Sequence, residues 1–291
     1  MTAFTEVRTP RRGFVVPIPK PRWMRGRATL IVGVLLVLAM VVACVGAPLW
    51  TSSSPTAIDP AHRLLPVFSP GHLLGTDDFG RDVLSRILYG GRLDLAIAFG
   101  ATAVTLVVGT AFGLCAGHIR GKTGAIMMRI VDLFFAFPFV VLVIAIITIL
   151  GSSLLNLFIA LWAVSWVNYA RISHGQALSS NNYGYVVASK ALGFSHLRIM
   201  LRHQLPSVLP GVIIFAMVDA VGNVLLAAAL GFLGLGIPPP NPEWGSMISD
   251  GQNFIFSDWS LAIMPGIALV VLGLGLSLIG DGLSDLLRPQ S

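Results

Sequence analysis

Charge is scarce in this chain. Of its 291 residues only 11% are Asp, Glu, Lys or Arg, against 55% hydrophobic, and the mean hydropathy is +0.83. So little polar surface cannot cover a globule in water, which excludes an ordinary soluble fold. Cysteine is nearly absent as well. Cys44 and Cys115 both lie in apolar segments, so neither a disulfide framework nor a thiolate metal site is indicated. The six histidines are scattered over loops and tails and are read as solvated, with no His-Glu-x-x-His and no Cys/His cluster. No nucleophile–base pair is visible. A nucleotide-binding loop is also missing. Gly117-His-Ile-Arg-Gly121-Lys122-Thr123 comes near the pattern, but three residues separate its glycines where four are needed, and it follows an apolar span instead of a strand. The net charge of +6 does not point to nucleic acid. Arg8, Arg11, Arg12, Lys20, Arg22, Arg25 and Arg27 crowd ahead of the first apolar run, the positive-inside pattern of a cytoplasmic terminus.

What the chain has is long apolar segments. Six stand out, Ala28–Trp50, Arg92–Gly117, Arg129–Leu150, Ser153–Ala170, Ser207–Phe232 and Leu261–Gly280, each near the ~20 residues that a helical crossing requires. The fold class is therefore an all-α polytopic membrane protein of about six transmembrane helices. Placing the N-terminus inside puts His118, Arg120, Lys122, Arg129, Arg171, Lys190, Arg198 and Arg202 in inside loops. It leaves the outside loop from Leu233 to Ser260 with Glu243, Asp250 and Asp258 and no Lys or Arg. Both termini are thus cytoplasmic. The expected organisation is a basic flexible tail over 1–27, a first transmembrane helix over 28–50, an extracytoplasmic loop over 51–91, a five-helix core over 92–282 and a short cytoplasmic tail over 283–291. Val41-Val42-Ala43-Cys44 resembles a lipoprotein cleavage box, but a span of more than 20 residues fits a transmembrane helix better than a signal-peptide core. In the second span Gly109, Gly113 and Gly117 recur every fourth residue, forming a smooth face on which another helix can approach closely.

Four stretches stand apart from the spans. Tyr183–Pro206 is polar, carries Lys190, Arg198 and Arg202, and holds no carboxylate. A short helix over Tyr185–Leu192 is expected to stop at Gly193, and Ser195 to cap a second helix running towards Pro206. This hinged pair is more than a chain reversal needs, and it points to a cytoplasmic partner. Asp219 lies near the middle of the fifth span with Asn223 one turn on, on the same face. A carboxylate at that depth costs at least about 2.5–3.5 kcal/mol, so it faces either a solute path or a polar partner on a neighbouring helix. In the first outside loop Gly75, Asp77, Gly80, Arg81 and Asp82 crowd together. Their order is wrong for a calcium loop, so a local network among Asp77, Arg81, Asp82 and Arg86 is expected to shape the outer rim. Trp244, after the stiff Pro238–Pro242 run, suits the lipid–water boundary.

Several of these blocks resemble one family. His72-Leu-Leu-Gly-Thr-Asp-Asp-Phe-Gly-Arg-Asp-Val-Leu-Ser-Arg86, Phe232-Leu-Gly-Leu-Gly236 with Pro239 to Gly245, and Gly280-Asp-Gly282 are similar to the second permease subunit, the "C" subunit, of dipeptide and oligopeptide ATP-binding-cassette (ABC) importers. The polar loop resembles the importers' coupling motif, Glu-Ala-Ala, three residues, Gly, then Leu-Pro thirteen positions after that Gly. Ala188, Gly193, Leu205 and Pro206 fall in register. The motif's Glu falls on Val187, its second Ala on Ser189 and its isoleucine on His203. The resemblance implies a type I ABC importer permease fold in the inner or plasma membrane and a pore-forming subunit without catalysis of its own. It implies ATP and magnesium held by two ATP-binding cassette domains inside, a homologous permease partner, an extracytoplasmic solute-binding protein, and membrane lipid around the spans. On this reading Tyr185, Val187, Ala188, Ser189, Leu192, Gly193, Leu197, Leu205 and Pro206 form the ATPase-coupling loop. Asp219 and Asn223 stand on a translocation path, and Gly75, Asp77, Gly80, Arg81, Asp82 and Trp244 at the outer rim. No catalytic residue, metal ligand or cofactor is assigned to this chain. Relatives of the same architecture carry nickel, glutathione or other small solutes. A secondary transporter driven by an ion gradient would need a chain of carboxylates across the bilayer, and Asp219 alone is thin support for one.

Overall fold

A computed structural model describes residues 22–119 and 121–287. No β-strand occurs among them beyond two isolated bridges in the first outside loop. The helices are α1 (Arg22–Val45), the short α2 (Ala47–Trp50), α3 (Val83–Ile119), α4 (Gly121–Phe135), α5 (Phe139–Leu150) and α6 (Leu154–Ser180). They continue with α7 (Gly184–Ala191), α8 (His196–Ile199), α9 (Leu205–Phe232), α10 (Trp244–Gln252) and α11 (Ser260–Leu287). Five of them, α1, α3, α6, α9 and α11, are individually long and apolar enough to cross a membrane.

The expected third span is broken. Over Ala136–Pro138 the helix is interrupted and α4 and α5 diverge by 79°. Pro138, which cannot continue a helical hydrogen-bond ladder, sits at the N-cap of α5. The pair still joins opposite ends of the bundle. Gly124 abuts Ala116 at the inner end of α3, and Ser152 lies beside Gly231 and Gly236 at the outer end of α9. Boundaries shift elsewhere too. Helix α1 begins at Arg22, so the tail expected over 1–27 is helical at its end, and residues 1–21 lie outside the described residues. Helix α3 starts at Val83, which shortens the outer loop to 51–82, because the Asp82 carboxylate caps that helix by accepting the Ser85 N–H at 2.7 Å. The expected tail over 283–291 is helical to Leu287, and the rest of it lies outside the described residues.

The core sits along α3. Helix α6 crosses it where the sequence places the glycine face. A Cβ on Gly109 or Gly113 would overlap the carbonyl oxygens of Trp166 and Ala170 respectively, and one on Gly117 would lie 2.6 Å from Ala177 Cβ. The repeat is therefore contact between helices of one chain. Tyr169, fully buried, packs with Leu114, Val208 and Val212 at this crossing, drawing α9 against the same pair. Helices α1 and α11 lie together on the far side, through Val37, Leu272 and Leu276.

A methyl group in this groove is expected to be costly. Gly113→Ala should destabilise the protein by about 1–3 kcal/mol, as overpacking does. Gly175→Ala on α6, where a Cβ meets nothing within 4 Å, should be neutral or slightly stabilising. Thermal unfolding of the two variants in detergent tests the contrast.

Candidate functional site

The inner end of the bundle carries the hinged loop. Helix α7 ends in a Schellman turn. Phe194 N–H donates to Ser189 O at 3.1 Å, Gly193 N–H donates to Lys190 O at 3.0 Å, and Gly193 has φ +73°, a conformation that costs a residue with a Cβ about 1–2 kcal/mol. Ser195 Oγ then accepts the Arg198 N–H and caps α8. The second helix runs towards Pro206, as expected, and continues past it. A π-helical turn over Met200–Gln204 widens the backbone and α8 runs on into α9, one apolar helix from His196 to Phe232. Proline lacks an N–H and its ring crowds the carbonyl four residues back, and a wider turn accommodates both.

The loop presents an apolar surface. Tyr185, Val187, Leu192 and Leu197 are each about half or more exposed, at 47%, 53%, 73% and 64%. Ala188, Gly193 and Pro206 are also exposed and Leu205 half-buried, whereas Ser189 is buried and returns its hydroxyl to Tyr185 O at 2.7 Å. Val186, fully buried, faces the other way. His203 stacks on Phe194, with rings 14° from parallel and 6.2 Å apart.

Beneath the loop lies a polar clamp. His118 at the end of α3 sits with Nδ1 2.6 Å from Gln204 Oε1 and Nε2 2.9 Å from His196 Nδ1. Gln204 Nε2 donates to Ser180 Oγ on α6 at 3.2 Å. Asn181, buried, donates to Gly117 O and accepts from Lys190 Nζ, each at 2.8 Å. The loop is thus tied to α3 and α6 at once. These contacts correct the reading of the histidines as solvated, since His118 is buried. A polar residue directly after the glycine repeat was the available signal.

At mid-span, Asp219 and Asn223 do share a face. Asp219 Oδ2 accepts from Tyr169 Oη of α6 at 2.9 Å, Asn223 Nδ2 at 3.1 Å and Thr102 Oγ1 of α3 at 3.4 Å. Asn223 Nδ2 also lies 3.1 Å from Thr102 Oγ1. Three helices meet there. Asp132, nearer the inner end, is held by Arg171 Nη2 at 2.8 Å, with Arg129 farther away at 3.6 Å.

The outer rim is built on Asp77. Its Oδ1 accepts the N–H groups of Phe79 and Arg81, both at 2.9 Å, and its Oδ2 faces Arg81 Nε at 2.6 Å and Arg86 Nε at 3.4 Å. Asp82 does not join the arginines. It engages His72 Nδ1 at 2.9 Å and caps α3. Gly75 and Gly80 take φ of +76° and +74°, and a Cβ on either would overlap the carbonyl of Leu65 or Asp59. Trp244 is not at a lipid boundary. It is fully buried, its indole donates to Ile87 O at 2.9 Å, and the missing side chain of Gly91 makes room for the ring. Beside it lies a pair not foreseen from the sequence. Asp94 Oδ2 accepts the Trp244 N–H at 3.2 Å, and the buried Asp94 carboxyl faces that of Glu243. Glu243 caps α10 through the N–H groups of Gly245 and Ser246 at 2.7 and 2.8 Å, and burial pushes its carboxyl above the usual range. An acid three positions into a span was the signal for Asp94. Among the described residues no group of three or more His, Cys, Asp or Glu is arranged to hold a metal ion.

Comparison with known proteins matches residues 109–290 to the family described as "Binding-protein-dependent transport system inner membrane component". The dipeptide transport system permease protein DppC of Alkalihalophilus pseudofirmus is 41% identical over 260 residues, 89% of this chain and 85% of the relative. The di/tripeptide transport system permease protein DppC of Pseudomonas aeruginosa is 39% identical over 75% of this chain and 72% of its own. The glutathione transport system permease protein GsiD of Pectobacterium atrosepticum is 34% identical over 98% of this chain and 92% of its own. Among solved structures, a chain of the MetNI methionine ABC transporter in an inward-facing conformation superposes with a TM-score of 0.56 at 22% identity. The match covers 67% of this chain and 93% of that one, and shows the shared fold.

The buried Glu243 carboxyl makes stability depend on pH. A carboxyl raised in the folded state keeps its proton to higher pH than in the unfolded chain, so the penalty is absent at low pH and grows as pH rises above about 4.3. Asp94→Asn removes one acid and supplies a donor towards Glu243. It should stabilise the protein by about 1–3 kcal/mol near neutrality, the scale on which a buried polar group gains or loses a compatible partner, with the gain shrinking as pH falls towards 4. Melting temperatures across that range measure it.

Proposed function

The chain belongs to the family of binding-protein-dependent transport system inner membrane components, and on that premise we propose that it is the pore-forming subunit of an ATP-driven importer of di- or oligopeptides. The observation that carries the reading is the hinged loop. It is an exposed apolar surface at the inner end of a multi-pass bundle, stiffened by the Schellman turn, the Ser195 cap and the clamp around His118. Its natural ligand is a groove on a cytoplasmic ATPase. With Val187 where the coupling motif has Glu, the contact is made by apolar side chains, not by an ion pair.

The energy source sits in partner subunits that bind ATP and magnesium, and this chain contributes no catalytic group. Closure of the ATPases displaces α7 and α8, and the clamp passes that displacement to α3 and α6. Because α8 continues into α9 over 37 residues, about 55 Å at 1.5 Å per residue, a tilt at its inner end reaches the outer end. The path opens alternately to each side. This is coupling through a rigid two-state element. A homologous permease completes the pore in the inner membrane, and an extracytoplasmic binding protein delivers the solute. The GsiD relative supports a second reading in which the solute is glutathione, itself a small peptide.

Truncating the exposed loop leucines tests the proposal. In the reconstituted complex, Leu192→Ala with Leu197→Ala removes side chains worth about 1.5–3 kcal/mol each on burial. Solute-stimulated ATP hydrolysis and peptide uptake should fall at least about tenfold, with the melting temperature of this chain unchanged. Full activity in the double variant would refute the docking surface.

A further inference from the structure

Most described carboxylates outside the buried Asp94–Glu243 pair are used up by structure or sit at the ends of the bundle. Asp77 spends both oxygens on two arginines and two backbone N–H groups, and Asp132 is paired with Arg171. Asp219 differs. It stands at the middle of α9, half-buried, and all three of its donors, Tyr169, Asn223 and Thr102, converge on Oδ2. Its Oδ1 has no donor among the described residues, and it is not among the atoms sealed from solvent. No cationic side chain among the described residues pairs with it.

The space next to it is open as well. Gly222, one turn on, is exposed, and a Cβ built there would meet nothing within 4 Å. Glycine inside a helix costs roughly 0.5–1 kcal/mol against alanine. At Gly109 and Gly113 close packing accounts for that cost; at Gly222 no described residue packs against the backbone. The geometry is that of an oriented receptor. Three donors from three helices fix the carboxyl through one oxygen and leave the other facing open space at mid-depth. A carboxylate there is too costly to face lipid, so the gap is wet or filled by a counter-charge.

We propose that the free oxygen of Asp219 receives a cationic group of the solute during passage, either the α-ammonium or a lysine or arginine side chain. The proposal rests on reading the chain as a solute-conducting permease. A transient charge-assisted hydrogen bond suits that task, because it is strong in a partly dry site and broken when the helices move. Thr102, Tyr169 and Asn223 act as positioning residues that hold the acceptor as α3, α6 and α9 tilt.

The test uses the assembled transporter in proteoliposomes, with binding protein saturated by Ala-Lys-Ala or by its norleucine isostere. Asp219→Asn should lower turnover about tenfold, the scale of one charge-assisted hydrogen bond. A fall with both peptides identifies the α-ammonium as the group; a fall with the lysine peptide alone identifies the side chain. Asp219→Glu should recover most of the loss, and basal ATP hydrolysis and co-purification of the partner permease should not change. Wild-type turnover in Asp219→Asn with both peptides would overturn the proposal. So would loss of the partner permease, which would make Asp219 an interface residue, or loss of basal hydrolysis, which would make it structural. If the wild-type complex takes up neither peptide with ATP, the permease reading itself has failed and this inference falls with it.

Discussion

The close approach of α3 and α6 along Gly109, Gly113 and Gly117 is the constraint on which the other features hang. Lipid offers helices no hydrophobic reward for associating, so their contact depends on van der Waals fit, and small residues provide it. That fit sets the axial register of the two helices, and the register places Thr102 and Tyr169 at one depth, within reach of Asp219. Further along it brings Gly117 O to Asn181, and His118 to the loop that follows α6. A shift of one turn, about 5.4 Å, would dismantle the mid-span network and the inner clamp together.

Helix α9 joins those two polar sites. Its inner extension carries part of the exposed apolar surface of the hinged loop, its middle carries Asp219 and Asn223, and its outer end packs beneath α10 through Ala228 and Gly231. An unbroken helix transmits a tilt better than a jointed one. The π turn at Met200–Gln204 keeps it unbroken past Pro206 while turning Gln204 inward to His118. The hinge lies instead at Gly193, between the two short helices and ahead of the long one.

Hydropathy and charge bias made the spans and their orientation legible, because both follow from composition averaged over about 20 residues. The Gly193 stop and the Ser195 cap were legible too, since each rests on one residue's local chemistry. What was lost depended on neighbours distant in sequence. Trp244 looked interfacial because its acceptor at Ile87 and its space at Gly91 lie some 150 residues away in the chain, as does its contact with Asp94. His118 looked solvated because Gln204 and His196 come to it only after two spans. The π turn that carries the second helix past Pro206 was not legible, because it depends on Gln204 turning inward to His118. Asp219 and Asn223 were correctly placed on one face, but their partners on α3 and α6 required the fold.

The polar groups are graded along the membrane normal in a way that suits a moving bundle. At the outer rim Asp77, Arg81 and Arg86 form a buried ion cluster, costly to open once formed. At the inner end the clamp around His118 uses imidazole, amide and hydroxyl groups, whose neutral hydrogen bonds net only about 0.5–1.5 kcal/mol each and can be exchanged for water. Between them the Asp219 network is incompletely bonded. Rigidity thus falls from the outer rim inwards. On the reading proposed above, a push applied to the loop helices meets its least resistance near its point of application, with the outer rim as the fulcrum.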